Sequence, residues 1–145
     1  MTVLSKQSAE EYKKQNYTTR QKELGRPVSP HVTIYSFPVG ALSSITNRVT
    51  GCVLTFGAAG LGAAELVGGA GTSLWIMQTI GSQGFLVASA AKFSVAFPVI
   101  YHCGGAVRHL IWDYYPEYLE NTDVEKSSTA LFGISTLISL GFVVV

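Results

Sequence analysis

From Val49 to Ala91 the chain carries a single formally charged side chain, Glu65, and between Pro27 and Trp112 only Arg48, Glu65, Lys92 and Arg108 are charged. Such a stretch cannot wrap a core in a solvated surface, and the composition as a whole, 48% hydrophobic and 13% charged over 145 residues, points to lipid as the outer solvent. Crossing a hydrocarbon layer of about 30 Å takes about 20 helical residues. Three segments meet that length, near Ser43 to Val67, Gly84 to Trp112 and Ser128 to Val145. The expected fold is an all-α membrane protein with three transmembrane helices. Residues 42–145 form the membrane domain, and residues 1–41 form a polar N-terminal segment with a short helix.

The first 26 residues hold six basic and three acidic side chains, and Ser8 with Glu11 gives the spacing of a capping box. The segment has no apolar core, so it is not a secretory signal. Glu10, Glu11 and Glu23 are foreign to an acid-poor mitochondrial leader, so any leader is expected to have been removed or left out. The stretch "GRPVSPHVTIYSFP" follows, and its three prolines favour extended backbone. The first connection, "GGAGTSLWIMQTIGSQG", lacks lysine and arginine, which places the base-rich N-terminus in the matrix or cytoplasm and the C-terminus across the membrane. A net charge of +1 argues against a nucleic-acid role, which would need lysine and arginine gathered into a patch on a folded surface. Cys52 and Cys103 have no metal-binding spacing and are read as small core residues.

The embedded charges sort by depth. Arg48 lies about one turn inside the first span and Arg108 in the last turns of the second, on the same side, while Glu65 and Lys92 fall near the opposite face. Each needs a partner, a ligand or a path to the interface, because a bare charge in hydrocarbon costs a few kcal/mol. For Lys92 the expectation is snorkelling or pairing with Glu65. Ser44, Asn47 and Arg48 share one helix face as a polar notch, which is either an N-cap with a snorkelling arginine or a pocket for a polar headgroup.

His102 and His109 also share a face, about 10 Å apart along the axis, so they cannot ligate one iron from opposite sides. His102 falls near mid-membrane, where its nitrogens must be satisfied, and either metal ligation or a hydrogen bond to a neighbouring helix does so. Gly104, Gly105 and Ala106 leave room for a flat macrocycle or for close helix packing. Pro98, four residues before His102, is expected to kink the helix. Arg108 and His109 stand where the two carboxylates of a porphyrin would emerge.

Three stretches in this order, "RPVSPHVTIY" (Arg26 to Tyr35), "SITNRVTG" (Ser44 to Gly51) and "HCGGAVRHLIWD" (His102 to Asp113), resemble the large cytochrome b subunits of succinate dehydrogenase, respiratory Complex II. The resemblance covers nearly the whole chain from residue 26. It implies a heme b- and quinone-binding membrane anchor that passes electrons from an iron–sulfur subunit to ubiquinone, partnered by a small cytochrome b anchor subunit and a flavoprotein subunit. It makes His102 an axial ligand of heme iron, with the second axial ligand on the partner anchor. Arg108 and His109 match the segment near the heme propionates. Ser44, Ile45 and Arg48 match the quinone pocket, and Phe37 an aromatic at its mouth. The implied location is the mitochondrial inner membrane with the N-terminus in the matrix, or the plasma membrane of a related bacterium. Asn47 departs from the pattern, since many members carry histidine there, and Cys103 and Gly104 replace bulkier residues.

Two other classes stay open from the residues alone. One is a transport path through Glu65, Lys92, His102 and Arg108, although these fall in two layers with no inverted repeat. The other is a cofactor-free assembly subunit held by the small surface of Gly57, Gly60 and Ala64. Succinate chemistry is not expected on this chain, because "GGAGTS" at Gly68 lies between spans rather than in a strand-to-helix turn that binds flavin.

Overall fold

The computed structural model describes residues 10, 11, 13–29, 31 and 33–144, and divides the chain into two compact units, Met1–Ser36 and Phe37–Val145. Ser8 of the expected capping box, Pro30 and Val32 of the first motif, and Val145 at the end of the third span lie outside the described residues. In the first unit the backbone is helical at Glu10, Glu11, Lys13 and Lys14, and α1 spans Tyr17–Glu23. Asn16 caps α1 by accepting from the Thr18 N–H at 3.2 Å, and Gly25 ends it with φ of 66°, a conformation that favours glycine. The described residues between Arg26 and Ser36 carry no helix, as the prolines dictate.

The second unit is built from three long helices, α2 (Val39–Gly68), α4 (Phe85–Tyr114) and α5 (Asn121–Val144), which pack on one another. All three are long and apolar enough to cross a membrane. Their 30, 30 and 24 residues correspond to about 45, 45 and 36 Å. They overrun the expected spans because helix continues past the apolar stretch. Pro38 is the N-cap of α2, so Ser44 lies in the second turn and is not a cap; α5 begins in the polar turn at Asn121. A short helix that the sequence pattern did not predict, α3 (Thr72–Gly81), occupies the first connection. A 3₁₀ turn, Pro116–Leu119, makes up much of the second.

The packing is inverted relative to a water-soluble bundle. Among the described residues the fully enclosed large apolar side chain is Tyr101, while the other buried side chains include Ser43, Thr50, Ser128, Ser135 and Ser139. Large apolar groups face outwards instead: Phe56, Leu66, Val67, Phe85, Leu86 and Leu137 are each more than two-thirds exposed. An apolar exterior of this extent requires lipid, and small hydroxyl residues at the seams allow the helices to approach closely. The cysteines follow the same rule. Cys52 and Cys103 are free and exposed, so the expectation that they fill a core is overturned.

Tyr101 ties the three long helices together. Its hydroxyl lies 2.8 Å from Ser43 Oγ on α2 and donates to the Ser43 carbonyl at 3.3 Å. Its ring meets Phe132 of α5 at 4.9 Å between centroids and continues an aromatic row through Phe97 and Phe93 on α4. The α4 helix runs through the buried Pro98.

Candidate functional site

At the end of the bundle where α2 and α5 begin and α4 ends, a cavity of about 460 Å³ opens. Ser44, Asn47 and Arg48 of α2 line it on one side and Arg108, His109 and Trp112 of α4 on the other, together with Gly40, Leu119 and Val124. Residues singled out in two sequence motifs some sixty positions apart thus line one cavity. The volume is typical of a small-molecule site. Ile45 is exposed and is not part of the lining.

Helix geometry explains the convergence. Ser44, Asn47 and Arg48 follow i, i+3, i+4 spacing on α2, and Arg108 and Trp112 are one turn apart on α4. The Arg108 guanidinium carbon sits 4.6 Å from the centroid of the Trp112 ring, and the His109 ring meets that indole edge-on at 5.3 Å. Arg108 Nη1 donates to Ser128 Oγ on α5 at 2.9 Å, while its Nε is covered and makes no hydrogen bond among the described residues. Arg48 makes no hydrogen bond or ion pair among the described residues, although it lines a cavity in a segment bounded by apolar turns.

His102 lies deeper, about two turns from Arg108, and its ring is held against α2. Nδ1 is 3.0 Å from the Asn47 carbonyl oxygen and 3.4 Å from Thr50 Oγ1. A carbonyl only accepts, so Nδ1 carries the proton; Thr50 Oγ1, which donates to the same carbonyl at 2.9 Å, accepts the weaker share. This tautomer leaves the lone pair on Nε2, which has no hydrogen-bond partner among the described residues. An imidazole fixed through Nδ1–H to a backbone carbonyl with Nε2 open is the form in which histidine ligates metals. The neighbouring-helix hydrogen bond and metal ligation, alternatives in the sequence, are therefore compatible on the two nitrogens of one ring. No group of three or more His, Cys, Asp or Glu able to hold a bare metal ion occurs among the described residues.

Glycines shape this region in ways the motifs did not specify. A Cβ on Gly51 would lie 2.9 Å from His102 Cε1, so the imidazole rests on bare α2 backbone. Gly105 receives the Asn47 amide, whose buried Oδ1 makes no hydrogen bond among the described residues, and a Cβ on Gly104 would meet Leu131 Cδ1 at 2.6 Å. Gly104 and Gly105 thus allow close helix packing, one of the two uses the sequence offered for them. Sequence pattern did not single out Gly51, Trp112, Ser128 or Tyr101 as site residues. For Gly51 and Trp112 the signal was their presence inside the quoted motifs; Ser128 gave none.

At the other end of the bundle the Glu65 carboxylate accepts from the Gly71 N–H at 2.6 Å, from the Ser73 N–H at 2.8 Å and from the Ser73 hydroxyl. It anchors the first turn of α3, and of the two alternatives for Lys92, snorkelling or pairing with Glu65, the pair does not form. The two-layer sorting of charge holds, with different partners.

Comparison with known proteins bears on the family of the chain. The sequence model of the succinate dehydrogenase/fumarate reductase transmembrane subunit family matches residues 22–142. The chain is similar to mitochondrial succinate dehydrogenase cytochrome b560 subunits. It is 36% identical to that of Dictyostelium discoideum over 117 residues, covering 81% of this chain and 60% of the relative. The Bos taurus subunit is 30% identical over 129 residues, 88% of this chain and 75% of the relative, and the Homo sapiens subunit 33% over 118 residues, 80% and 69%. The chain thus spans about three-fifths of the slime-mould relative and about two-thirds to three-quarters of the mammalian ones. A match over nearly its whole length, on a fold with three membrane-spanning helices, shows that the chain belongs to the succinate dehydrogenase/fumarate reductase transmembrane subunit family.

Proposed function

We propose that the chain is the heme b- and quinone-binding anchor of a succinate:quinone oxidoreductase. It works in the mitochondrial inner membrane with its N-terminus in the matrix, beside a small cytochrome b anchor subunit, an iron–sulfur subunit and a flavoprotein subunit. The names of its relatives, mitochondrial and cytochrome b560, support the location and the cofactor. The observation that carries the reading is His102, whose Nδ1–H is fixed on the Asn47 carbonyl and whose Nε2 is left open above the bare backbone of Gly51.

The donor set fits a b-type heme. His102 offers one neutral imidazole nitrogen, the right number for a chain that shares the iron with a partner, and Arg108 and His109 offer cationic or hydrogen-bonding groups for two carboxylates about two turns away. When bound, the heme supplies a reversible one-electron couple. The remaining roles belong to this chain. The hydrogen bond to the Asn47 carbonyl fixes the His102 tautomer and ring orientation, and raises the basicity of Nε2.

The cavity suits a quinone head group. Reduction of a quinone to a quinol takes two electrons and two protons, and negative charge builds on the carbonyl oxygens before the protons arrive. Ser44 and Arg48 both line the cavity, their side chains make no hydrogen bond among the described residues, and both can donate to one such oxygen. A lipid-surrounded site strengthens that interaction relative to water. Protons reach the cavity from the nearby bundle end. Ile45 lies outside the lining and takes no part in this reading of the cavity, and succinate oxidation itself is assigned to the partner subunits.

The test is the reduced-minus-oxidised absorbance of the complex purified in mild detergent. A b-type spectrum in the wild type that is lost in His102→Ala, with the complex still assembled, is the expected result. A spectrum unchanged by that substitution would overturn the ligand assignment.

A further inference from the structure

We infer that Ser128 is a positioning residue for Arg108, holding its guanidinium for an oxygen acceptor of the bound ligand. The inference rests on the reading of this cavity as a heme and quinone site, and concerns a residue outside the cavity lining. Ser128 belongs to α5, is fully buried, and accepts from Arg108 Nη1 at 2.9 Å.

Its hydroxyl behaves unlike its neighbours. Several helical serines and threonines turn back onto their own helix: Thr55 donates to the Gly51 carbonyl, Thr79 to Trp75, Thr129 to Glu125 and Ser139 to Ser135, whereas Ser43, like Ser128, bonds a side chain of α4. Ser127, one position earlier, likewise donates to the Val124 carbonyl. Ser128 makes no such bond among the described residues, and its hydroxyl instead meets the arginine twenty positions away on α4.

Two contacts therefore define the guanidinium: Ser128 Oγ at Nη1 and the Trp112 ring against its carbon at 4.6 Å. One fixes rotation within the plane and the other fixes the plane. Arg108 is held without being satisfied, because Nε has no acceptor and Nη2 makes no bond among the described residues. A cation kept under-satisfied at the edge of a cavity is prepared for a carboxylate or a carbonyl. Both are oxygen acceptors, one from the heme periphery and one from quinone.

The experiment compares Ser128→Ala and Ser128→Thr in the assembled, detergent-purified complex, reading the amount of complex, the heme midpoint potential and the quinone KM against kcat. A hydrogen bond to a charged group contributes about 1.5–3 kcal/mol, so loss of alignment should change either the ferrous-to-ferric ratio at fixed potential or the quinone KM by about tenfold or more. Ser128→Ala should produce that change at unaltered complex yield, and Ser128→Thr, which keeps the hydroxyl, should restore the wild-type value. A moved potential identifies the carboxylate as the acceptor, and a moved KM the quinone carbonyl. If Ser128→Ala leaves both where they were, or if both variants merely lower complex yield together, the positioning role is wrong. A wild-type complex without b-type absorbance would defeat the heme reading alone, and Ser128 would then stand or fall on the quinone KM.

Discussion

The two ends of the helix bundle both hold charge in apolar surroundings, and they treat it in opposite ways. At the α3 end, Glu65 receives two backbone N–H groups and one hydroxyl from Gly71 and Ser73, all within eight residues of itself. At the cavity end, Arg48 and Arg108 lie on helices that are distant in sequence; Arg48 has no partner among the described residues and Arg108 has one hydrogen bond and an indole face. Carrying any of these charges into a membrane costs free energy. Glu65 recovers that cost through local bonds that shape a turn, so its charge belongs to the fold. The arginines recover little within the chain, so theirs is available to a ligand.

The sharpest way to break this contrast is to remove the under-satisfied charge. Arg48→Ala should lower quinone reduction by about a hundredfold, in the range seen when one charge-stabilising donor is lost, while succinate oxidation by a soluble dye is kept. Equal loss of both activities would mean that Arg48 supports assembly, and the cavity end would then resemble the Glu65 end.

A smaller effect is expected from Gly51→Ala. The added methyl would lie 2.9 Å from His102 Cε1, so the ring must shift off the α2 backbone or the helices must part. Overpacking of this kind costs about 1–3 kcal/mol and would disturb the Nδ1 bond to Asn47. Heme content per complex and the position of the b-type absorbance are the measurements. Wild-type values for both would show that the imidazole does not rest on Gly51.

The contrast also separates what the sequence made readable from what it did not. Membrane spans were legible because lipid penalises charge, and a run with Glu65 alone over Val49 to Ala91 cannot present a water-facing surface. For the same reason Arg48, His102 and Arg108 stood out, and the structure brings Arg48 and Arg108 to one cavity. Helix α3 was not legible because ten residues flanked by glycine carry too little periodicity to separate a short helix from a loop. Ser128 and Gly51 escaped for a different reason. A serine or glycine in an apolar helix is common, and its meaning depends on the helix it meets, which is a tertiary fact. The cysteines mislead because the rule that buries them comes from water-soluble proteins and reverses when the outside is lipid.

The smallest expected effects lie at the Glu65 end and test whether its charge is local. Glu65→Gln removes the carboxylate that receives the Gly71 and Ser73 donors, and the amide nitrogen of the replacement faces N–H groups it cannot accept from. The first connection, residues 69–84, should open more often and be cut several-fold faster by a protease offered from that side, while absorbance and quinone reduction stay at wild-type values. Lys92→Gln should change none of these, because Lys92 makes no ion pair with Glu65. If Lys92→Gln reproduced the protease sensitivity of Glu65→Gln, the two side chains would be a pair in the membrane after all. If Glu65→Gln instead slowed quinone reduction as Arg48→Ala does, the division of labour between the ends would fail, since a carboxylate engaged entirely by its own loop has no route to the cavity other than through the long helices.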